Sequence, residues 1–211
     1  MEKAVNSIKS INTMTHKLHD ALDRKLFLKN YFPQAFEAYK LVAHGSAKAD
    51  IWRLAYLLKY GGIYLDIDFT FYKNLHTVIN TNADFISICS PHWQNSILNG
   101  LLGCPPNSKL IRKCLETAIF NIMNTTKQDR LTNQGHSLCG PYMIHKVLCN
   151  YYGLSDHHHF TEGCHVYNGD TLQFLCLKNP KDKIVTWEDV PILNSKFPEY
   201  IDIKKTTKIL N

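Results

Sequence analysis

Residues 47–69, AKADIWRLAYLLKYGGIYLDIDF, restrict the fold more than any other stretch, because two periodicities meet there at a double glycine. Up to Tyr60, Ile51, Leu54, Ala55 and Leu58 recur at helical spacing, which predicts a helix over 47–60 packed by one stripe on a sheet. Ser46 stands where such a helix takes its N-cap. Gly61 and Gly62 stop it, the first closing the last carbonyls in a left-handed conformation and the second allowing a sharp turn. Ile63 to Phe69 then reads as a buried strand, β-branched and aromatic except for two carboxylates. Strand residues i and i+2 project to one face, so Asp66 and Asp68 aim at a common point if the strand stays extended there. Desolvating unpaired carboxylates is costly, and hard divalent cations such as Mg²⁺ or Mn²⁺ take carboxylate and phosphate oxygens, so a cation is expected beside them. Asp50 and Arg53 lie three residues apart on the preceding helix and share a face. They are either a surface ion pair or a carboxylate and a guanidinium fork turned into the same cleft.

The rest of the chain alternates helix and strand. Leu18, Leu22, Leu26 and Phe27 give an amphipathic helix over 14–29, and a short helix follows Pro33 over 34–39. Strands are expected at 84–89 (DFISIC) and 96–102, and helices at 108–123 and 141–151. From Tyr152 onward the pattern reads as loop-rich, with a strand at 183–187. Helices alternating with apolar strands define an α/β layer architecture, and 211 residues suit one domain, 1–211.

Composition closes off other classes. Lys and Arg number 24 against 18 Asp and Glu, but the excess is scattered apart from Lys204, Lys205 and Lys208, so it reads as solvated surface and no nucleic-acid partner is expected. Seven cysteines, an odd number without a CxxC pair, predict reduced, mostly buried thiols. No membrane span and no signal-peptide core is visible, which places the expected chain in the cytoplasm. His157, His158 and His159, with Glu162, Cys164 and His165, have the side chains of a zinc site, yet consecutive loop histidines cannot all face one ion. Trp52 is expected in the core, Trp93 is the better candidate of the two for a sugar-facing loop, Trp187 carries no signal and His92 reads as an exposed loop histidine.

The run Ala49, Asp50, Arg53, Leu57, Tyr60, Gly61, Gly62, Ile63, Tyr64, Asp66, Asp68 resembles the DxD sugar-binding region of a glycosyltransferase family. That family includes yeast initiating mannosyltransferases, capsular-polysaccharide enzymes and, more distantly, the glucosyltransferase domains of large clostridial toxins. The resemblance implies a GT-A type fold and retaining transfer of a hexose from a UDP- or GDP-sugar to a glycan, lipid or protein hydroxyl, with Mn²⁺ or Mg²⁺. It implies that Asp50 and Arg53 bind the donor sugar, that Asp66 meets the ribose or a metal-bound water, and that Asp68 ligates the metal. Asn99-Gly100 before Pro105-Pro106 is similar to the family's Asn-containing segment, which adds Asn99 to the donor site. Gly140-Pro141 is similar to its Gly-Pro turn, with Cys139 where a hydroxyl residue is usual. The family's opening strand, which helps form the nucleotide pocket, has no counterpart before Met14, and the closing His or Trp segment has none before Asn211. The expectation is therefore a glycosyltransferase domain shortened at both ends.

Two other functions fit parts of the sequence. A degenerate domain kept as a binding or scaffold protein would retain the motif without activity. Asp66, Asp68 and Thr70 also fit the DxDx[TV] opening of haloacid-dehalogenase-type phosphatases, with Asp66 as nucleophile, Asp68 as acid/base and Glu188-Asp189 as the later acidic pair. That reading leaves the double glycine and the Asp-x-x-Arg helix without a role.

Overall fold

A computed structural model describes residues 15–67, 70–71, 74–89, 96–132, 135–176 and 185–186. Helix α1 (Ala21–Tyr31) starts later than its periodicity predicts, because Asp20 and Asp23 form a capping box. Asp23 N–H donates to Asp20 Oδ1 at 2.8 Å and Asp20 N–H to Asp23 Oδ2 at 3.1 Å. The expected stripe does not face the core: Leu18, Leu22 and Leu26 are exposed, and the helix is held through Leu28 and Phe27 instead. Helix α2 (Pro33–Leu41) begins on the proline, whose missing N–H costs nothing at a first turn.

Helix α3 (Gly45–Tyr60) begins before Ser46, with His44 as its N-cap, which corrects the expected cap. His44 makes no side-chain cap; its Nε2 is engaged with the Leu131 carbonyl at 2.8 Å. The helix is buried well beyond its predicted stripe, with Trp52, Leu57, Asp50 and Arg53 also enclosed. Gly61 (φ +64°) closes it by donating to the Leu57 carbonyl at 2.8 Å. A Cβ on Gly61 would stand 2.6 Å from Pro106 N, and Asn107 N–H donates to the Leu58 carbonyl at 2.8 Å. The double glycine and the Pro105-Pro106 turn are therefore one joint.

Strand β1 (Gly62–Leu65) is shorter than predicted, since Ile67 is already in a turn. After β2 (Thr70–Phe71) and a 3₁₀ turn (Leu75–Thr77) come β3 (Phe85–Cys89), β4 (Ile97–Cys104), α4 (Lys109–Asn124), α5 (Lys127–Thr132), α6 (Pro141–Tyr152), β5 (Gly163–Tyr167), β6 (Asp170–Cys176) and β7 (Val185–Thr186). Five strands form a mixed sheet in the order β1-β4-β3-β6-β5, with β3 and β6 parallel and the other neighbours antiparallel; β2 and β7 pair separately. The α/β class predicted from the sequence is the one observed.

The loop-rich reading after Tyr152 is corrected. Asn168 (φ +53°) and Gly169 (φ +92°) make the tight turn of a β5–β6 hairpin, and β6 lies inside the sheet against β3. Phe85, Ile97, Leu102, Leu172 and Phe174 join the helices in the main core. Ile86, Ile88, Leu98, Leu101 and Leu175 build a smaller cluster with Leu75 and Ile79. No described helix is long and apolar enough to cross a membrane.

Candidate active site

Helix α3, the end of β1 and the start of β4 bring four of the predicted site residues together. Asp50 and Arg53 are 5% and 3% exposed, so they are an interior pair and not a surface one. Arg53 Nη2 lies 3.1 Å from Asp50 Oδ1 and 3.2 Å from Asp66 Oδ1, bridging two carboxylates with one nitrogen. Asn99 Nδ2 donates to Asp50 Oδ1 at 2.9 Å, and the Asn99 carbonyl accepts from Arg53 Nη1. Asn99 lies in the interval where the β3–β4 register shifts, between the pairs Ile86–Gly103 and Ile88–Leu98. Asp66 is fixed at the end of β1 by its backbone N–H, which donates to the Gly100 carbonyl at 2.7 Å.

Tyr64, not anticipated as a site residue, completes the group. Its hydroxyl donates to Asp66 Oδ1 at 2.6 Å, and its ring lies under the Arg53 guanidinium at 4.3 Å from the centroid. Its position two residues before Asp66 on the same strand face was the available signal. Gly140 was also missed as a packing requirement: a Cβ there would stand 3.0 Å from Asp50 Oδ2. Neighbouring Cys139 is buried, and its thiol points to the Ala47 carbonyl at 3.7 Å.

Electrostatically the group is acidic around one cation. Burial raises the pKa of Asp50 to about 6, helped by the nearby charge of Asp66 and opposed by Arg53 and the Asn99 hydrogen bond. Arg53 is held firmly protonated by Asp66, Tyr64 and Asp50 against its desolvation, and burial raises the Tyr64 hydroxyl well above its ordinary range. Asp66 is the outlet of the network, with its side chain 28% exposed.

Asp68, His92, Trp93, Trp187, Glu188, Asp189 and the Lys204–Lys208 cluster lie outside the described residues. Trp52 is core, packed between His19 and Tyr56. Among the described residues no group of three or more His, Cys, Asp or Glu side chains is placed to hold a metal ion. His158 instead contacts the Tyr167 hydroxyl at 3.1 Å, and His145 Nε2 donates to the His158 carbonyl at 2.8 Å.

Residues 3–86 match the family of the glycosyltransferase sugar-binding region containing a DXD motif. The uncharacterized glycosyltransferase L373 of Acanthamoeba polyphaga mimivirus is 38% identical over 82 residues, which cover 38% of this chain and 33% of the viral protein. The chain thus spans about a third of the length of that curated relative. Among solved structures, PaToxG glycosyltransferase aligns with a TM-score of 0.40 and 19% identity over 62% of this chain and 41% of its own. The segment carrying Asp50, Arg53, Tyr64, Asp66 and Asp68 lies within the stretch that matches that sugar-binding region. Asn99 and Gly140, which complete the observed site, lie beyond the matched stretch.

Proposed function

We propose that this chain has a GT-A type fold and transfers a hexose from a UDP- or GDP-sugar to a hydroxyl of a glycan, lipid or protein, with retention. The observation that carries the reading is the network of Asp50, Arg53, Asn99 and Asp66, which ties helix α3 to the first aspartate of the DXD motif. In the phosphatase reading Asp50 and Asn99, which the network joins to Arg53, have no task.

A divalent cation fits the donor set. Asp66 presents a partly exposed carboxylate, a hard ligand, at the edge of a cluster with two carboxylates and a single cationic side chain. Asp66 and Asp68 would hold Mn²⁺ or Mg²⁺ there. When bound, the ion neutralises charge growing on the departing nucleoside diphosphate. The bond between the anomeric carbon and the diphosphate oxygen breaks, the acceptor oxygen takes its place, and the acceptor proton passes to the diphosphate or solvent. Asp50, buried beside Gly140, accepts hydrogen bonds from donor-sugar hydroxyls, and Arg53 and Asn99 form the wall behind it.

Calorimetric titration with UDP- and GDP-hexoses, with and without Mn²⁺, tests the reading. Donor binding should require the ion and be lost in Asp66→Asn. Equal binding without Mn²⁺ and in the variant would contradict it.

A further inference from the structure

Away from the sugar site, helix α6 is fastened to the segment that follows it through an interior histidine. His145 is 2% exposed. Its Nε2 lies 2.8 Å from the His158 carbonyl, and since a carbonyl only accepts, Nε2 carries a proton and a second one, on Nδ1, would charge the ring. The Cys149 thiol, a weak hydrogen-bonding group, lies 3.9 Å from both ring nitrogens, and the Phe160 ring stands edge-on at 5.5 Å. An imidazolium would lose its hydration there and find neighbours that return little of it. Burial accordingly holds His145 below the ordinary histidine value of 6.5; the His158 carbonyl and Asp156 favour the proton, while the charges of His158 and His159 oppose it. Asp156 is drawn outward by Lys146 Nζ, 3.8 Å away on α6. From the same fastening, contacts run into the sheet. His158 Nε2 meets the Tyr167 hydroxyl of β5 at 3.1 Å, and Phe160 stacks on Phe174 of β6 with 4.6 Å between ring centres. A second tie, from the Tyr152 hydroxyl to Asp170 Oδ2 at 3.1 Å, joins the end of α6 to the start of β6. Strand β5 is the outermost of the five and pairs only with β6 in that sheet.

We propose that His145 and the His158 carbonyl form an acid-sensitive latch: when His145 takes up one proton, residues 153–167, the loop and edge strand β5, open as a unit from α6 and β6. The neutral ring belongs to the closed form, so the closed form binds fewer protons than the open one. Closure is therefore fully supported above about pH 6.5 and weakens as pH falls below it. Opening stays local because β6 is held on its other side by β3, whereas β5 and the loop lean on α6 and β6 alone. The latch is independent of hexosyl transfer and stands whether or not the chain binds a sugar nucleotide.

The test is amide hydrogen exchange of the full chain, read by mass spectrometry between pH 7.5 and pH 5, with labelling times scaled for the intrinsic pH dependence of exchange. Peptides from 153–167 should lose protection as pH falls below about 6.5, by up to about tenfold per pH unit, the limit for uptake of one proton. Peptides from α3 and β3 should keep theirs. In His145→Gln, whose amide N–H serves the same carbonyl but does not titrate, the loss should vanish. His158→Gln, which keeps the carbonyl and removes the second imidazole, should retain it. Circular dichroism establishes folding of each variant. Wild-type protection of 153–167 that ignores pH, or that falls together with α3 and β3, overturns the inference before any variant is compared. Loss that persists in folded His145→Gln, or that disappears in His158→Gln, overturns it as well, the latter assigning the sensor to His158.

Discussion

Without its guanidinium, Arg53 would leave Asp50 and Asp66 sharing an interior site with no cation between them. Breaking a buried pair by removing one partner costs about 3–5 kcal/mol, because the remaining charge is stranded. Arg53→Met should therefore lose stability on that scale in urea unfolding, whereas Tyr64→Phe, which removes one hydrogen bond to a charged group, should lose about 1.5–3 kcal/mol. Asp50 makes the opposite contribution from most aspartates. Its pKa rises on folding to about 6, from an unfolded value of 3.8, so the folded state binds the extra proton. The stability this provides is fully present below the unfolded value and is lost as pH rises through about 6. Comparing unfolding free energies at pH 4 and pH 7 should show a smaller decline in Asp50→Asn than in wild type. An unchanged decline would show that Asp50 is not the group titrating.

The joint between α3 and β1 gives a prediction at the level of elements. Gly61 and Gly62 both have positive φ, but only Gly61 faces a neighbour, with Pro106 N at 2.6 Å from a would-be Cβ. Gly62 has open space around that position. Gly61→Ala combines backbone strain with a clash and should cost more than Gly62→Ala, which bears strain alone, of order 1 kcal/mol. Equal losses would mean that Pro106 yields freely. The helix stop and strand start were legible because the stripe, the two glycines and the apolar strand are local in sequence, whereas the Pro105-Pro106 side of the joint is not. The hairpin of β5 and β6 announced itself only through Asn168-Gly169, and its place in the sheet depends on parallel pairing of Phe85–Cys89 with Leu172–Cys176, which no local pattern encodes. The site divides in the same way. Asp50, Arg53 and Asp66 could be read from spacing, but Asn99 as the anchor of Asp50 and Tyr64 as the clamp on Asp66 follow from a register shift in β4 and from side chains meeting across elements.

Over the whole molecule, burial divides the cysteines as it divides the sheet. Cys89, Cys104, Cys114, Cys139 and Cys149 are buried, whereas Cys164 on β5 is exposed. Desolvation pushes the Cys104 thiol up to about 12 and that of Cys149 to about 11, so neither supplies thiolate at neutral pH. Maleimide labelling of the native chain, mapped by peptide mass, should modify Cys164 and spare those five until denaturant is added. Modification of Cys114 or Cys139 under native conditions would contradict the packing of α4 against α3 and of α6 against α4. Just before α6, Gly140 stands against Asp50. Proposed hexosyl transfer depends on Asp50 together with Asp66 and Asp68 of the DXD motif. Its most direct test is hydrolysis of a panel of UDP- and GDP-hexoses, with and without Mn²⁺, by wild type and by Asp68→Asn. The account predicts Mn²⁺-dependent release of UDP or GDP that falls by at least about 10²-fold in the variant; release indifferent to both the ion and the substitution would contradict it.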